Sequence, residues 1–141
     1  MALSIYYLLI DNYISHYIIL TSMEQVEIIK ALETLGLNPK KAEVLTEILT
    51  RKQFTQHELE RATDLQQPVV SHIISDFTKD NFIAISERIK NNIGRPTNVY
   101  RLSKTPEVIA KELRERQYNK KKIDNSVRLI SKLNEVTLAV V

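Results

Sequence analysis

The sequence contains no cysteine and only two glycines, and each shortage excludes a class of function. Without cysteine, the chain cannot form disulfide bonds, thiolate-ligated zinc sites, iron–sulfur clusters or a thiol nucleophile. With Gly36 and Gly94 as its only glycines, it cannot build the glycine-rich loops of dinucleotide-binding folds or P-loops. Its histidines, His16, His57 and His72, are isolated in sequence, and no paired carboxylates stand out. We therefore expect no enzyme, no metal site and no cofactor.

Basic residues are also missing from the start of the chain, where none precedes Lys30. A secretory signal needs a basic beginning and a cleavage site of small residues, so this class is excluded. The apolar run 2–21 is interrupted near its middle by Asp11, Asn12, Ser15 and His16, which a membrane-spanning helix would have to pair. The sequence thus predicts a cytoplasmic protein without a membrane partner.

The segment 1–22 allows three interpretations. Its polar residues Ser4, Asp11, Ser15 and Ser22 recur at helical spacing, which favours an apolar helix buried against a partner subunit. The many Ile and Tyr residues instead favour a hairpin that turns at Asp11 and Asn12. A third interpretation takes Met23 as the natural start, which would make 1–22 an extension outside the protein.

Size indicates one domain, and a net charge of +3 permits a polyanion partner without requiring one. The chain has 141 residues, of which 43% are hydrophobic, enough for one core and an oligomer contact. The first 50 residues contain three bases and six acids, whereas residues 104–141 contain nine bases and five acids. A site for a polyanion is therefore expected in the second two-thirds of the chain.

From Glu24 onward the pattern predicts a series of helices. The first spans about 24–35 and stops at Gly36, and the second begins with Asn38 as its cap and Pro39 at its first position. Thr55 and Glu58 form a capping box before a short helix, 56–63. The inward positions of these helices are expected to be Val26, Ile29, Leu32, Leu35, Ala42, Leu45, Ile48, Leu49, Leu59 and Ala62.

Beyond a tight connection at 64–67, the pattern predicts one more helix and then a hairpin. Pro68 starts the helix, which buries Val70, Ile73, Ile74 and Phe77, and Asn81 supplies a left-handed cap. Residues 82–89 and 99–102 alternate as strands around a turn-rich segment that contains Gly94. Two helices joined by a short turn and followed by a two-stranded ribbon form a winged helix-turn-helix.

Two segments also resemble a known group of proteins. Residues 65–83 read LQQPVVSHIISDFTKDNFI and residues 94–103 read GRPTNVYRLS. They resemble the recognition helix and the wing of prokaryotic, especially archaeal, regulators of the MarR, ArsR and TrmB-like groups, and the resemblance covers about 24–105. The chain departs from these groups at Asn81, where Gly is usual, and at Ile73 and Ile74, where many members have a polar residue and Leu.

The arrangement predicts a DNA-binding domain over 23–105. A helix at about 67–80 would enter the major groove, where Gln and Asn side chains can grip adenine in a bidentate manner. Its candidate contacts are Gln66, Gln67, Val69, Ser71, His72, Ser75 and Lys79. The wing, 88–97, offers Arg88, Lys90 and Arg95, and an Arg suits the narrow minor groove of A-tracts.

The last segment, 106–141, predicts a long amphipathic helix capped by Thr105. Its apolar residues exceed what one small core needs, so the surplus is expected to pair with a second copy of the chain. The candidate interface residues are Ile123, Val127, Ile130 and Leu133.

The predicted fold is mainly α with a small β-hairpin wing, a winged helix-turn-helix with N-terminal and long C-terminal dimerisation helices. The predicted function is a sequence-specific regulator of transcription that binds double-stranded DNA as a homodimer. The alternative is a winged-helix module that binds protein in a transcription or replication assembly. The sequence identifies neither the operator nor an effector ligand.

Overall fold

The computed structural model describes residues 24–90 and 94–140, with side chains as far as residue 136. The predicted segment 1–22 and part of the wing tip lie outside the described residues. In chain order the described elements are α1 (24–34), α2 (Pro39–Leu49), β1 (Gln53–Thr55), α3 (Gln56–Thr63), α4 (Gln67–Lys79), β2 (Ile83–Ile89), β3 (Thr97–Leu102) and α5 (Pro106–Val140).

The turn between α1 and α2 follows from its cap residues. Gly36 adopts a φ of +99°, a left-handed conformation that costs glycine little. A Cβ at this position would also collide with the side-chain amide of Gln117 on α5, so the glycine permits a close helix contact. Asn38 then caps α2 by accepting a hydrogen bond from the backbone N–H of Lys41 at 2.8 Å. The predicted start of α2 is confirmed, and α1 ends one residue earlier than predicted.

The short helix α3 is capped as predicted, but one of its inward positions was wrong. The Thr55 hydroxyl accepts a hydrogen bond from the backbone N–H of Glu58 at 3.2 Å. Leu59 is fully buried, whereas Ala62 is exposed and Thr63 is buried in its place. Thr63 lies one turn after Leu59 and donates its hydroxyl to the Leu59 carbonyl at 2.7 Å, so its polar group is satisfied inside the protein.

Helix α4 buries the four residues that the sequence predicts. Val70, Ile73, Ile74 and Phe77 are at most 4% exposed and pack in one core with residues of α1, α2, α3 and β2. After the helix, Asn81 adopts a φ of 60°, which confirms its left-handed cap. On α1, the predicted inward residue Val26 is 52% exposed, whereas Leu32 is buried.

The sheet has one more strand than the predicted hairpin. Its order is β1-β3-β2, and both pairs are antiparallel. Strand β1 has three residues, too few for an alternating pattern to be visible, and it joins the sheet through long-range pairing of Phe54 with Tyr100. A register shift between Ile85 and Glu87 bends β2 before the wing.

The first turns of α5 belong to the core, and the rest of the helix leaves it. Ile109 and Leu113 are at most 3% exposed. Arg116 pairs with Asp80 at the end of α4 at 3.1 Å, and its guanidinium lies 5.3 Å from the centre of the Phe82 ring. The apolar side chains beyond residue 113 that the structure describes remain exposed: Tyr118, Ile123, Val127, Leu129, Ile130, Leu133 and Val136. Across the described helices, none is long and apolar enough to span a bilayer.

Candidate nucleic-acid interface

The outer side of α4 presents a row of polar residues. Gln67, Ser71, Ser75 and Lys79 follow one another at intervals of four residues, so they share one side of the helix, and all are exposed. Because Val70, Ile73, Ile74 and Phe77 anchor the opposite side, this row has a fixed orientation relative to the body of the protein. Such a row can donate and accept hydrogen bonds at a ligand surface.

Three other candidates lie around this row. Gln66 is the exposed N-cap of α4 and makes no side-chain capping bond. Val69 is half-buried and packs against the core, so only part of its side chain is available to a ligand. The His72 side chain is 76% exposed.

A charged cluster joins α4 to the start of α2. The carboxylate of Asp76 lies 2.9 Å from the Lys41 ammonium and 3.4 Å from Nε2 of His72. The hydrogen bond from Lys41 is the main cause that holds the pKa of Asp76 below its usual value, with further lowering by the charges of His72 and Lys79. The positive charge of Lys41 therefore offsets the negative charge of Asp76, which would otherwise repel an anion from the outer side of α4.

The wing carries the three predicted bases on exposed positions. Arg88 pairs with Asn98 across the hairpin, and Lys90 follows the end of β2. Gly94 has a φ of +103° with open space around it, so the turn there requires glycine for its backbone conformation. Arg95 follows directly and is exposed, and the proline after it favours an extended backbone at this position.

A hollow connects the start of α4 with the base of the wing. It is lined on one side by Gln67 and on the other by Pro96, Thr97 and Asn98. Residues that the sequence analysis missed complete it: Gln56, His57, Glu60 and Tyr100. The tertiary structure thus places Gln67 next to the wing, although almost thirty residues separate them in sequence.

The missed residues are held by their own contacts. The Gln56 amide donates to the Glu60 carboxylate at 3.1 Å, and His57 lies 3.5 Å from the same group. Tyr100 stacks on the buried Phe54 ring, with the ring centroids 5.8 Å apart. Its hydroxyl oxygen accepts a hydrogen bond from the side-chain amide of Asn98 at 3.5 Å. The only signal in the sequence was the alternation of β3, which placed Tyr100 in a strand without indicating which surface it joins.

A second hollow runs along the other half of α4. Ser71, Ser75 and Lys79 line it from the helix, and Ile85 and Tyr100 line it from the sheet. Ile85 is 40% exposed there, so the hollow combines hydroxyl groups, one base and an apolar side chain. That combination suits a backbone of sugars and phosphates better than a small ion. Among the residues that the structure describes, no group of three or more His, Asp or Glu could hold a metal ion.

Comparison with solved structures shows a likeness in fold. No family model matches the chain, and no curated protein matches its sequence. The solved structure of TrmBL2, an archaeal chromatin protein, matches with a TM-score of 0.55 at 17% sequence identity, over 83% of this chain and 43% of TrmBL2. The chain therefore spans less than half the length of TrmBL2. The likeness concerns the fold, and it confirms the predicted winged helix.

Two further structures match less well. A mutant of MarR from E. coli, crystallised with operator DNA, has a TM-score of 0.44 at 14% identity, over 72% of this chain and 71% of that one. A transcriptional regulator homologue from Pyrococcus horikoshii OT3 has a TM-score of 0.43 at 20% identity, over 72% of this chain and 96% of that one.

Proposed function

We propose that the protein is a sequence-specific regulator of transcription that binds double-stranded DNA as a homodimer. The observation that carries the proposal is the hollow in which Gln67, at the start of α4, meets the base of the wing at Thr97 and Asn98. A helix whose exposed start lies beside a basic hairpin matches the two neighbouring grooves of a duplex. The DNA binding for which the TrmBL2 structure is described gives further support.

In this proposal α4 lies in the major groove. The Gln67 amide both donates and accepts, so it can pair with the N6 and N7 atoms of adenine. Ser71 and Ser75 are one and two turns further along and can contact base edges or phosphates. Lys79 and Gln66 lie at the two ends of the row, and His72 lies beside it with Val69, where each can contact the backbone.

The wing would occupy the adjacent minor groove. Arg95 is exposed next to the open turn at Gly94, and Arg88 and Lys90 lie toward the end of β2. The negative potential of a narrow, A-tract minor groove attracts an Arg side chain. In this proposal two parts of the protein determine sequence preference. Helix α4 contacts the base edges, and the wing recognises the width of the minor groove.

The exposed part of α5 supports the proposal of a homodimer. Ile123, Val127 and Ile130 are 59–66% exposed and recur at intervals of four and three, with Leu133 continuing the stripe. A soluble monomer rarely exposes a long apolar stripe, and a second copy of the same helix would cover it. A two-fold dimer presents two copies of α4, so the operator should be an inverted repeat with half-site centres about one helical turn, or a multiple of it, apart.

Selection from random duplexes tests this function. We expect the selected sites to be AT-biased inverted repeats, bound with an affinity that falls steeply with salt. Sites without symmetry would contradict the dimeric arrangement. No binding at low salt would contradict the function itself and would support the alternative of a protein-binding module.

A further inference from the structure

The part of α5 that leaves the core has an exposed basic face that the proposed function does not use. Lys111, Arg114 and Tyr118 follow one another at intervals of three and four residues, and Lys121 and Lys122 lie three and four residues after Tyr118, so all five share one side of the helix. All five are exposed, and Tyr118 is 67% exposed. We call these five residues the α5 basic face.

The bases of this face differ in their ion pairing from Lys104 and Arg116, which lie at or near the start of α5. Lys104 pairs with Glu112 at 2.6 Å and Arg116 pairs with Asp80 at 3.1 Å, and these pairs attach α5 to the body. Among the described residues, the four bases of the α5 basic face have no ion pair. The acids beside them are Glu107, one turn before Lys111, and Glu115, which lines the same shallow hollow as Lys111, Arg114 and Tyr118. The face therefore keeps a net positive charge.

The fold gives no reason for this face. Like charges three or four residues apart destabilise a helix slightly, and an exposed Tyr ring contributes little to stability when nothing packs on it. The side of α5 that carries Ile109 and Leu113 enters the core, and the α5 basic face lies on the opposite side. A ligand on this face would therefore bind on the side of α5 that faces away from the core.

We propose that the α5 basic face is a second binding surface for DNA, which contacts the phosphodiester backbone of a duplex without reading its sequence. The identity of the ligand rests on the proposed function. Phosphate contacts are typically made by Lys, Arg and the hydroxyl of Tyr, which are the side chains of this face. The face is about 17 Å long at 1.5 Å per residue, enough for several phosphates.

A duplex fits this face better than an acidic protein. A protein interface contains an apolar centre surrounded by polar residues. Between residues 111 and 122 the exposed side chains are charged or polar apart from the Tyr118 ring, so such a centre is lacking. Contacts with a DNA backbone need charge and hydroxyl groups only.

The test measures binding of the full chain to a long scrambled duplex over a range of salt concentrations. The variant Arg114→Ala/Lys121→Ala/Lys122→Ala removes three bases of the face. The matched control, Lys30→Ala/Lys52→Ala/Arg101→Ala, also removes one Arg and two Lys that are exposed. Lys52 and Arg101 lie at the end of the sheet opposite the wing tip, where Gln53 pairs with Arg101. Alanine favours helix, so α5 should persist in the face variant, which circular dichroism checks.

We expect the face variant to reduce the slope of log K against log salt by about 2–3, since each phosphate contact contributes about 0.9. The control should leave the slope nearly unchanged. A Tyr118→Phe variant removes only the hydroxyl, so it should weaken binding a few-fold without changing the slope. Equal slopes for the face variant and the control would overturn the proposal and leave an acidic protein as the ligand of this face.

A further variant separates this proposal from the proposed function. Gln67→Ala/Arg95→Ala should lose preference for the selected operator, and adding the face variant to it should still lower the salt slope on the scrambled duplex by about 2–3. If the wild-type chain shows no operator preference and the face variant still lowers the salt slope, the proposed function fails and the second surface stands. If operator preference is normal and the slope is unchanged in the face variant, the second surface fails alone.

Discussion

Residues 106–113 and residues 114–136 belong to one helix, yet their apolar side chains have opposite surroundings. Ile109 and Leu113 are nearly inaccessible in the core, whereas Ile123 and Ile130 are more than 60% exposed. Apolar side chains therefore have two different roles along α5. The first part stabilises the winged-helix body, and the second part is available to another chain.

The pairing of basic side chains with acids also differs between the winged-helix body and the part of α5 beyond Arg116. In the body, Lys41, Arg51, Lys104 and Arg116 each have an acidic partner within 4 Å. Beyond Arg116, none of the bases of α5 that the structure describes has such a partner. Charges that are paired hold elements of the body together, whereas unpaired charges are available for a ligand.

The largest effect should come from shortening a core residue of α5. We expect Ile109→Ala to lower the free energy of unfolding by about 2–5 kcal/mol, because a buried side chain is lost and a cavity remains. Ile130→Ala removes the same atoms from the exposed part of α5. Measured by denaturant unfolding at the lowest usable protein concentration, it should change stability by less than a quarter as much. Equal losses would break the distinction between the two regions.

Negative charge on the exposed part of α5 should dissociate the proposed dimer. Ile130→Glu/Leu133→Glu introduces two carboxylates into the proposed interface, so the dissociation constant of the dimer should rise at least about 100-fold, or about 2.8 kcal/mol. Sedimentation at several concentrations measures this. The variant Asn125→Glu/Lys132→Glu, at exposed positions on the opposite side of the helix, shows whether added negative charge alone has an effect. An intact dimer would exclude this stripe as the interface.

In the winged-helix body, Gln67→Ala should weaken discrimination between base pairs at one position of the operator. The expected loss is about 1–3 kcal/mol, the size of a good bidentate contact between an amide and adenine. Competition between operators with single base changes measures it. Gln53→Ala, at the far end of the sheet, is the control and should keep full discrimination. A uniform loss at all positions would assign Gln67 to the phosphate backbone instead.

Arg95→Ala should have a smaller and more selective effect. We expect several-fold weaker binding to operators with A-tract flanks and little change with GC flanks, because the narrow groove concentrates negative potential. Arg95→Lys keeps the charge without the planar guanidinium, so it should recover part of the loss. Equal losses on both flanks would make Arg95 a phosphate contact, and no loss would remove the wing from the interface.

The smallest effect concerns the pairing of Asp76 with Lys41. The pKa of Asp76 in the folded state lies below its unfolded value of about 3.9, so the pair stabilises the protein above that pH. This contribution is lost as pH falls through the lowered pKa. Titration of the Asp76 carboxyl by NMR should show Lys41→Gln returning the pKa toward its usual value. Lys40→Gln, on the exposed neighbour, should leave it unchanged.

Local sequence determined the boundaries of the helices. Asn38, Thr55 and Asn81 act on backbone groups within three or four residues, so their roles can be read without knowledge of the fold. The row Gln67, Ser71 and Ser75 was predictable for the same reason, since helical spacing alone puts these residues on one side.

Tertiary structure decided the features that depend on distant residues. Strand β1 forms only because β3 supplies its hydrogen bonds, and Thr63 is buried instead of Ala62 because of how α3 packs. The hollow that adds Gln56, Asn98 and Tyr100 to the candidate site likewise combines three elements. The sequence by itself determined which segments are helical and which sides are apolar, because those depend on neighbouring residues. Which polar side chains meet at the candidate interface depends on how the elements pack, and only the folded chain brings them together.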